Sequence, residues 1–338
     1  MILTIAIPTY NRPNELADTL AGLIPQVTDE VVLMILDNCS ETNIAPFLKT
    51  KFDDADLKKL KIIRHRTNIG ADANFARCFE LCDTPYIWML SDDDEIVDNA
   101  VQLILKEIQK FQHLDLIGIN FNSSLCTATR TKPVIINNKT ELIEKLDHFW
   151  NWVFISTSIY KTEEYVKYLR YTAWGAYSMV SQLLPAIMAI HKNNKVFILS
   201  DTLIVNNLYG EAPAWSRLQL NLGLTSILEL PINFEREEYL AFGKKFSVEF
   251  VPVRSVFLYL LKSINWNIDL IDKYHIYIFK QLFYRSYEFR YDRYKEYIKF
   301  HLLLFLLYNK LLIKLLIKFL PVLKRRGDNL RPFFLFER

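Results

Sequence analysis

The sequence predicts an α/β fold, a doubly wound and mostly parallel sheet followed by a helical, basic C-terminal region. Three observations carry this. Within the first 95 residues, apolar runs of strand length alternate three times with helical patterns, as in successive βαβ units. Each run passes at once into polar residues, which places the polar ends of parallel strands along one crevice. From about Leu218 onward glycine and strand signals nearly vanish and helical patterns rich in Leu, Lys, Tyr and Phe take over. The expected division is therefore 1–217 and 218–338, within a length that supports a large domain and an appendage.

The elements follow in order. Ile2–Pro8 reads as a strand, and Thr9-Tyr10-Asn11-Arg12-Pro13 leads into a helix through Leu16, Leu20, Leu23 and Ile24. Hydroxyl and amide side chains between a strand and a helix N-terminus suit a base or a phosphate, although Thr and Asn are also ordinary caps. Val31–Leu36 is a second strand ending in Asp37-Asn38-Cys39-Ser40, and Lys61–His65 a short third. Asn68-Ile69-Gly70 then turns into a helix that carries Asp72, Asn74, Phe75 and Phe79. Tyr86–Leu90, aromatic and branched, predicts a strand buried on both faces, after which the chain enters Ser91-Asp92-Asp93-Asp94-Glu95. Further on, the patterns predict a helix over 97–111, strands over 116–121 and 134–136, and a strand over 149–160. A helix over 178–191 and a strand over 195–199 follow, and residues 206–215 read as a surface loop able to close over a ligand.

Four clustered acids beyond a buried strand need a counter-charge. A hard divalent cation supplies one, and Mg²⁺ or Mn²⁺ is held by one or two carboxylates together with substrate phosphates. That reading places the cation among these acids, Asp93 and Asp94 included, and points to a nucleotide diphosphate as the other half of the site. A capping loop before the next helix is the bland alternative, which Asp94 or Glu95 alone would satisfy.

Composition narrows the setting. Residues 1–110 carry a net −7 and the remainder +10, for +3 overall, so the two parts face different partners. The four cysteines form no metal-type pair of pairs and read as reduced thiols. An apolar strand opens the chain, with no basic segment and cleavage site, so no secretory signal is expected.

The motifs Ile5-Ala6-Ile7-Pro8-Thr9-Tyr10-Asn11-Arg12, Leu36-Asp37-Asn38-Cys39-Ser40, Asn68-Ile69-Gly70 with Asn74, and Tyr86-Ile87-Trp88-Met89-Leu90-Ser91-Asp92-Asp93-Asp94 occur in a familiar order and spacing. Together they resemble family 2 inverting glycosyltransferases of the GT-A fold, most of all the bacterial abequosyltransferase-like enzymes of O-antigen synthesis. The resemblance is strong over the first third, holds in outline to about residue 215 and is absent beyond. It implies that Pro8, Thr9, Tyr10, Asn11 and Arg12 border the nucleotide. Asp37 would accept from the base, Asn68 and Asp72 frame the nucleotide, Asp92 touches the ribose or sugar, and Asp93 holds the metal. An Asx turn is the competing role of Asp37. Family members often place a carboxylate base just before the helix expected at 178, but here the chain reads Trp174-Gly175-Ala176-Tyr177-Ser178. Asp201 and Glu211 are the nearest downstream acids, and Glu211, in the surface loop, is the expected base. The Gln-x-x-Arg-Trp pattern of processive members is missing, which favours addition of a single sugar.

Residues 299–326 hold seven Lys or Arg and no acid, with Lys310, Lys314 and Lys318 four apart. Such a helix suits an anionic membrane surface, while packing on the domain is the alternative. A spanning helix is not expected, because the lysines interrupt every apolar window. Nucleic acid is not an expected partner, since Glu288, Asp292 and Glu296 punctuate the basic aromatic stretch before the tail. The expected activity is transfer of one sugar from a nucleotide diphosphate sugar to a lipid-linked glycan at the cytoplasmic membrane face. A non-catalytic nucleotide-sugar-binding scaffold and a nucleotidyltransferase are the rival readings.

Overall fold

A computed structural model describes residues 1–124, 130–147, 149–176, 178–193, 195–207, 223–224, 226–246, 253–264, 266–287 and 293–319. Its elements open with β1 (Leu3–Thr9), α1 (Pro13–Leu23), β2 (Val31–Asp37), β3 (Leu60–Arg64), α2 (Ala71–Glu80) and β4 (Tyr86–Met89). There follow β5 (Glu95–Ile96), α3 (Ala100–Phe111), β6 (Leu116–Ser123), β7 (Val134–Ile136), β8 (Ser158–Lys161), α4 (Leu183–Asn193) and β9 (Val196–Asn207). They build one sheet of order β3-β2-β1-β4-β8-β6-β9-β5, with β7 paired to β9. The β3-β2-β1-β4 half is wholly parallel, β6 and β9 are parallel to each other, and β8, β5 and β7 join antiparallel.

Burial follows the pleat. Leu3, Ile5, Ile7, Leu33, Ile35 and Trp88 share a core with Leu16, Leu20 and Leu23 of α1 and Val101, Ile104 and Ile108 of α3. On α2, Cys78 and Phe79 are buried, and the Phe79 ring stacks on Tyr165 at 3.8 Å. Arg12 and Pro13 start α1 as sequence patterning requires, with Pro at the first turn where its missing N–H costs nothing.

Element assignments are corrected at three places before β9, which itself runs to Asn207 instead of ending near 199. The helix expected from 97 begins at Ala100, because Glu95 and Ile96 pair with β9 and Asn99 sits at φ +65°, outside helical geometry. The strand expected over 149–160 is confined to 158–161; Phe149–Val153 is helical and Ile155–Thr157 a 3₁₀ turn. Buried Phe149, Trp152 and Val153 fall at i, i+3 and i+4, a helical spacing. The helix expected from 178 starts at Leu183, which leaves Pro185 in the first turn rather than inside the helix.

The chain falls into two compact units, Met1–Ala176 with Val180–Gly210, and Tyr177–Met179 with Glu211–Arg338. In the second unit the described helices are α5 (Arg236–Phe246), α6 (Val253–Ser263), α7 (Lys273–Ser286), α8 (Arg293–Tyr308) and α9 (Lys310–Phe319). Its core is aromatic: Phe300 of α8 stacks on Phe283 of α7 at 3.9 Å and lies 5.3 Å from Phe279. Lys310 and Lys314 of α9 do not project into solvent as a free basic stripe. Lys314 Nζ donates to the Asp269 carboxylate at 2.6 and 2.8 Å, and Lys310 Nζ to the Asp269 carbonyl at 3.0 Å. The Lys318 side chain and residues 320–326 of the basic stretch lie outside the described residues.

Candidate active site

Strand register alone aligns the polar residues. In the parallel half, Thr9 pairs with Asp37 and Asp37 with Arg64. Leu3 pairs with Tyr86, and the same offset carried past β4 sets Asp92 opposite Thr9. Arg64, Asp37, Thr9 and Asp92 thus form a row across four neighbouring strand ends, where open α/β sheets bind ligands.

At one end of the row, buried Asp37 accepts from the Ser40 amide at 2.8 Å and from Arg64 Nη1, while Arg64 Nη2 donates to the Ser40 carbonyl at 2.7 Å. A local capping bond, to the amide three residues on, is thus present at Asp37 rather than an Asx turn, and Arg64 neutralises the same carboxylate. Asn38 Nδ2 donates to Asn68 Oδ1 at 2.9 Å, and the Ile69 amide donates to Asn38 Oδ1 at 2.9 Å. Gly70, at φ +86°, starts α2 in a conformation L side chains rarely adopt. Asn11, at φ +55°, turns the chain out of β1; its amide donates to Ser40 Oγ and its Oδ1 accepts from the Glu41 amide. The expected residues Pro8, Thr9, Asn11, Asp37 and Asn68 therefore lie along one edge. Tyr10 is half-buried there, and Asp72 is buried on the first turn of α2.

At the other end stand the acids. Thr9 Oγ1 donates to Asp92 Oδ2 at 2.7 Å, and Thr19 Oγ1 donates to the Asp92 carbonyl at 3.0 Å. Arg12 Nη1 reaches Asp92 Oδ1 at 3.1 Å and Asp93 Oδ2 at 2.6 Å, and Ser91 Oγ donates to Asp93 Oδ1 at 2.6 Å. Asp92 is buried, whereas the Asp93 side chain is 33% exposed and open to a ligand. Asp94 is buried and accepts from Ser156 Oγ; Ser156 also accepts from the Ser91 amide at 2.9 Å and, through its carbonyl, from Trp88 Nε1 at 2.8 Å. Burial raises the Asp92 carboxyl to about 6 against the opposing pull of Arg12 and Thr9. It raises Asp94 to about 7, with the Ser156 hydrogen bond offsetting part of the effect.

The donor set suits a hard cation. Carboxylate oxygens of Asp92 and Asp93 converge on one point, and a guanidinium already stands there as a positive group. Among the described residues no group of three or more His, Cys, Asp or Glu could hold a metal by itself. A Mg²⁺ or Mn²⁺ at Asp93 would thus complete its shell with substrate oxygens and water. Glu211, the expected base, lies outside the described residues, and so does most of the 206–215 loop. Sequence reasoning missed Arg64 and Ser156. Arg64 ends a short strand in the same way as the other site residues, which is the signal that would have found it.

Residues 4–167 match the glycosyl transferase family 2 model. The matched segment, just under half of the chain, takes in every crevice residue named above. The Streptococcus pneumoniae protein "Glycosyltransferase GlyA" is 21% identical over 212 residues, covering 61% of this chain and 29% of its own length. An uncharacterized glycosyltransferase of Haemophilus influenzae is 24% identical over 116 residues, covering 34% of this chain and 37% of its own. The chain thus spans about a third of the length of these relatives. Staphylococcus aureus TarS 1–349, solved with UDP, superposes with TM-score 0.54 at 15% identity, over 92% of this chain and 88% of that one. The mannosyltransferase PcManGT of Pyrobaculum calidifontis, solved with GDP-Man and Mn²⁺, gives 0.54 at 9% identity, over 86% and 87%. The fold is α/β of GT-A type, with a helical C-terminal region.

Proposed function

We propose that the chain is a glycosyltransferase, inverting and metal-dependent, that moves one sugar from a nucleotide diphosphate sugar to a lipid-linked glycan. The acceptor would belong to bacterial surface polysaccharide, O-antigen or capsule, assembled at the cytoplasmic face of the inner membrane. The observation that carries this reading is the row of Arg64, Asp37, Thr9 and Asp92 beside Arg12 and Asp93, a polar edge running into a pair of carboxylates. Solved neighbours of the same fold hold UDP, UDP-GlcNAc, or GDP-Man with Mn²⁺, which fits a nucleotide sugar as donor.

In this reading the Asp37, Ser40 and Arg64 end receives the base, Thr9 and Asp92 the ribose, and Asn38, Asn68 and Asp72 frame the nucleotide. Asp93, exposed and held by Ser91, would carry the Mn²⁺ or Mg²⁺. When bound there, such a cation would supply the positive charge that offsets the diphosphate leaving group. Asp94 and Ser156 fix the loop that presents Asp93. Glu211 is the proposed base toward the acceptor hydroxyl. Residues 1–217 are assigned to donor binding and chemistry, and 218–338 to peripheral membrane contact. No described helix is long and apolar enough to cross a membrane. Exposed Leu302, Phe305, Leu311, Leu312, Leu315 and Leu316 on α8 and α9 fit an interfacial position.

The decisive experiment incubates the protein with Mn²⁺, a panel of nucleotide sugars and lipid-linked acceptors. Nucleoside diphosphate released in step with acceptor glycosylation supports transfer. Pyrophosphate release would make the chain a nucleotidyltransferase, and binding without turnover would make it a scaffold.

A further inference from the structure

Each carboxylate oxygen of the Asp92 and Asp93 pair already has a donor. Asp92 Oδ2 accepts from Thr9 and Asp93 Oδ1 from Ser91, leaving Asp92 Oδ1 and Asp93 Oδ2 to Arg12. A hydroxyl donor can stay when a cation arrives, because a carboxylate oxygen has a second lone pair. A guanidinium cannot, because it carries the same sign as the cation and occupies the point where the two carboxylates converge.

We propose that Arg12 is a built-in counter-ion that competes with the divalent cation for Asp93 and yields it when the donor's diphosphate arrives. The inference rests on the proposed donor chemistry and deepens it. A diphosphate offers the planar guanidinium a bidentate anionic partner a short distance away, so Arg12 exchanges carboxylate for phosphate as the cation takes its place. Cation and nucleotide then bind with positive coupling: each removes the obstacle to the other. Alone, the cation binds weakly, and the empty crevice stays neutralised rather than presenting two bare carboxylates.

The test needs no turnover. Mn²⁺ is titrated into the full chain with and without UDP or GDP, and free Mn²⁺ is followed by electron paramagnetic resonance, with nucleotide alone as the blank. Without nucleotide, Arg12→Ala is expected to bind Mn²⁺ about tenfold or more tightly than wild type, the size of a removed neighbouring charge. The gain in Mn²⁺ affinity on adding nucleotide should shrink by a similar factor in Arg12→Ala. Adding Asp93→Asn to Arg12→Ala should abolish the tightened binding, which locates the site. Unchanged or weaker Mn²⁺ binding in Arg12→Ala, or an equal nucleotide gain in both proteins, overturns the proposal. If Arg12→Ala does not fold by circular dichroism, Arg12→Gln decides instead. It keeps a polar side chain but removes the positive charge, so it must bind Mn²⁺ more tightly than wild type for the proposal to stand. Failure of glycosyl transfer with these results intact would remove the donor reading and leave the competition in place.

Discussion

Asp92 and Asp94 keep their protons to about pH 6 and about pH 7 because both are buried, well above the ordinary 3.8 they regain in the unfolded chain. Between those values the folded chain holds protons that the unfolded chain has lost. Stability of the metal-free protein is therefore expected to fall as pH rises through this window, and to be fully relieved of the penalty only below about pH 4. Thermal melts across the range check the sign, and Asp94→Asn, which imitates the neutral acid, should flatten the upper part of the slope. At Asp93 the expectation is simpler: Asp93→Asn keeps the shape, removes the charge and abolishes turnover, while near-normal, metal-dependent rates would refute the assignment. Arg64→Ala leaves the buried Asp37 carboxylate without its counter-charge. It should cost about 1–3 kcal/mol in denaturant unfolding and weaken nucleotide binding. The placement of Thr9, Asp37 and Asp92 at neighbouring strand ends was legible because Thr9 and Asp37 follow an apolar run directly and Asp92 follows one after a single serine. Arg64 was not singled out, since one Arg at the end of a five-residue strand resembles any surface cation, and only register shows that it lies beside Asp37. Ser156 was hidden for a different reason, its partner Asp94 being 62 residues away in sequence.

At the scale of elements, β1, β2 and β4 of the parallel half were readable because strands buried on both faces leave continuous apolar runs, and the half-exposed β3 because a short branched run marks it. Assignments failed where local pattern and tertiary context diverge. Phe149–Val153 looks strand-like in its aromatic content, yet Asn151 sits inside it, buried, donating from Nδ2 to Asn120 Oδ1 at 2.9 Å. β9 runs to Asn207 rather than ending near 199 because Glu95 and Ile96 pair with its far end, a contact no local periodicity reveals. One glycine tests this packing. A Cβ on Gly118 of β6 would lie 2.5 Å from the Ile159 carbonyl and 2.8 Å from the Tyr160 ring, both in β8. Gly118→Ala is expected to cost about 1–3 kcal/mol in chemical denaturation as β6 and β8 are pushed apart. A neutral result would show that this strand pair yields easily.

For the whole molecule, the open question is what the C-terminal unit does, and its own packing sets how that is tested. Phe300, Leu307 and Ile313 are buried in the same core as Phe257, Phe279 and Phe283, so cutting the chain before Lys299 removes core as well as tail. Such a truncation is expected to destabilise the unit, by more than the ~3–5 kcal/mol of Phe300→Ala alone, and cannot report membrane contact. Lys310→Glu and Lys314→Glu mislead in another way, since each would set a new acid beside Asp269. The exposed leucines make the cleaner probe. Changing Leu311, Leu315 and Leu316 together to Ser leaves the buried Ile313 and the aromatic core untouched, so melting should be unchanged. If α9 rests on the membrane, this variant should lose most of its binding to vesicles of anionic lipid. The wild type should bind them less as salt rises, because each basic residue near the surface adds roughly 1 kcal/mol of screened attraction. Transfer to a soluble acceptor should continue in the variant, as the proposed donor-contacting residues all fall between positions 8 and 94. Equal vesicle binding by variant and wild type would place membrane contact elsewhere or remove it. A lower melting temperature with unchanged vesicle binding would show instead that those leucines are covered by a second copy of the chain, and sedimentation of the two proteins would then differ.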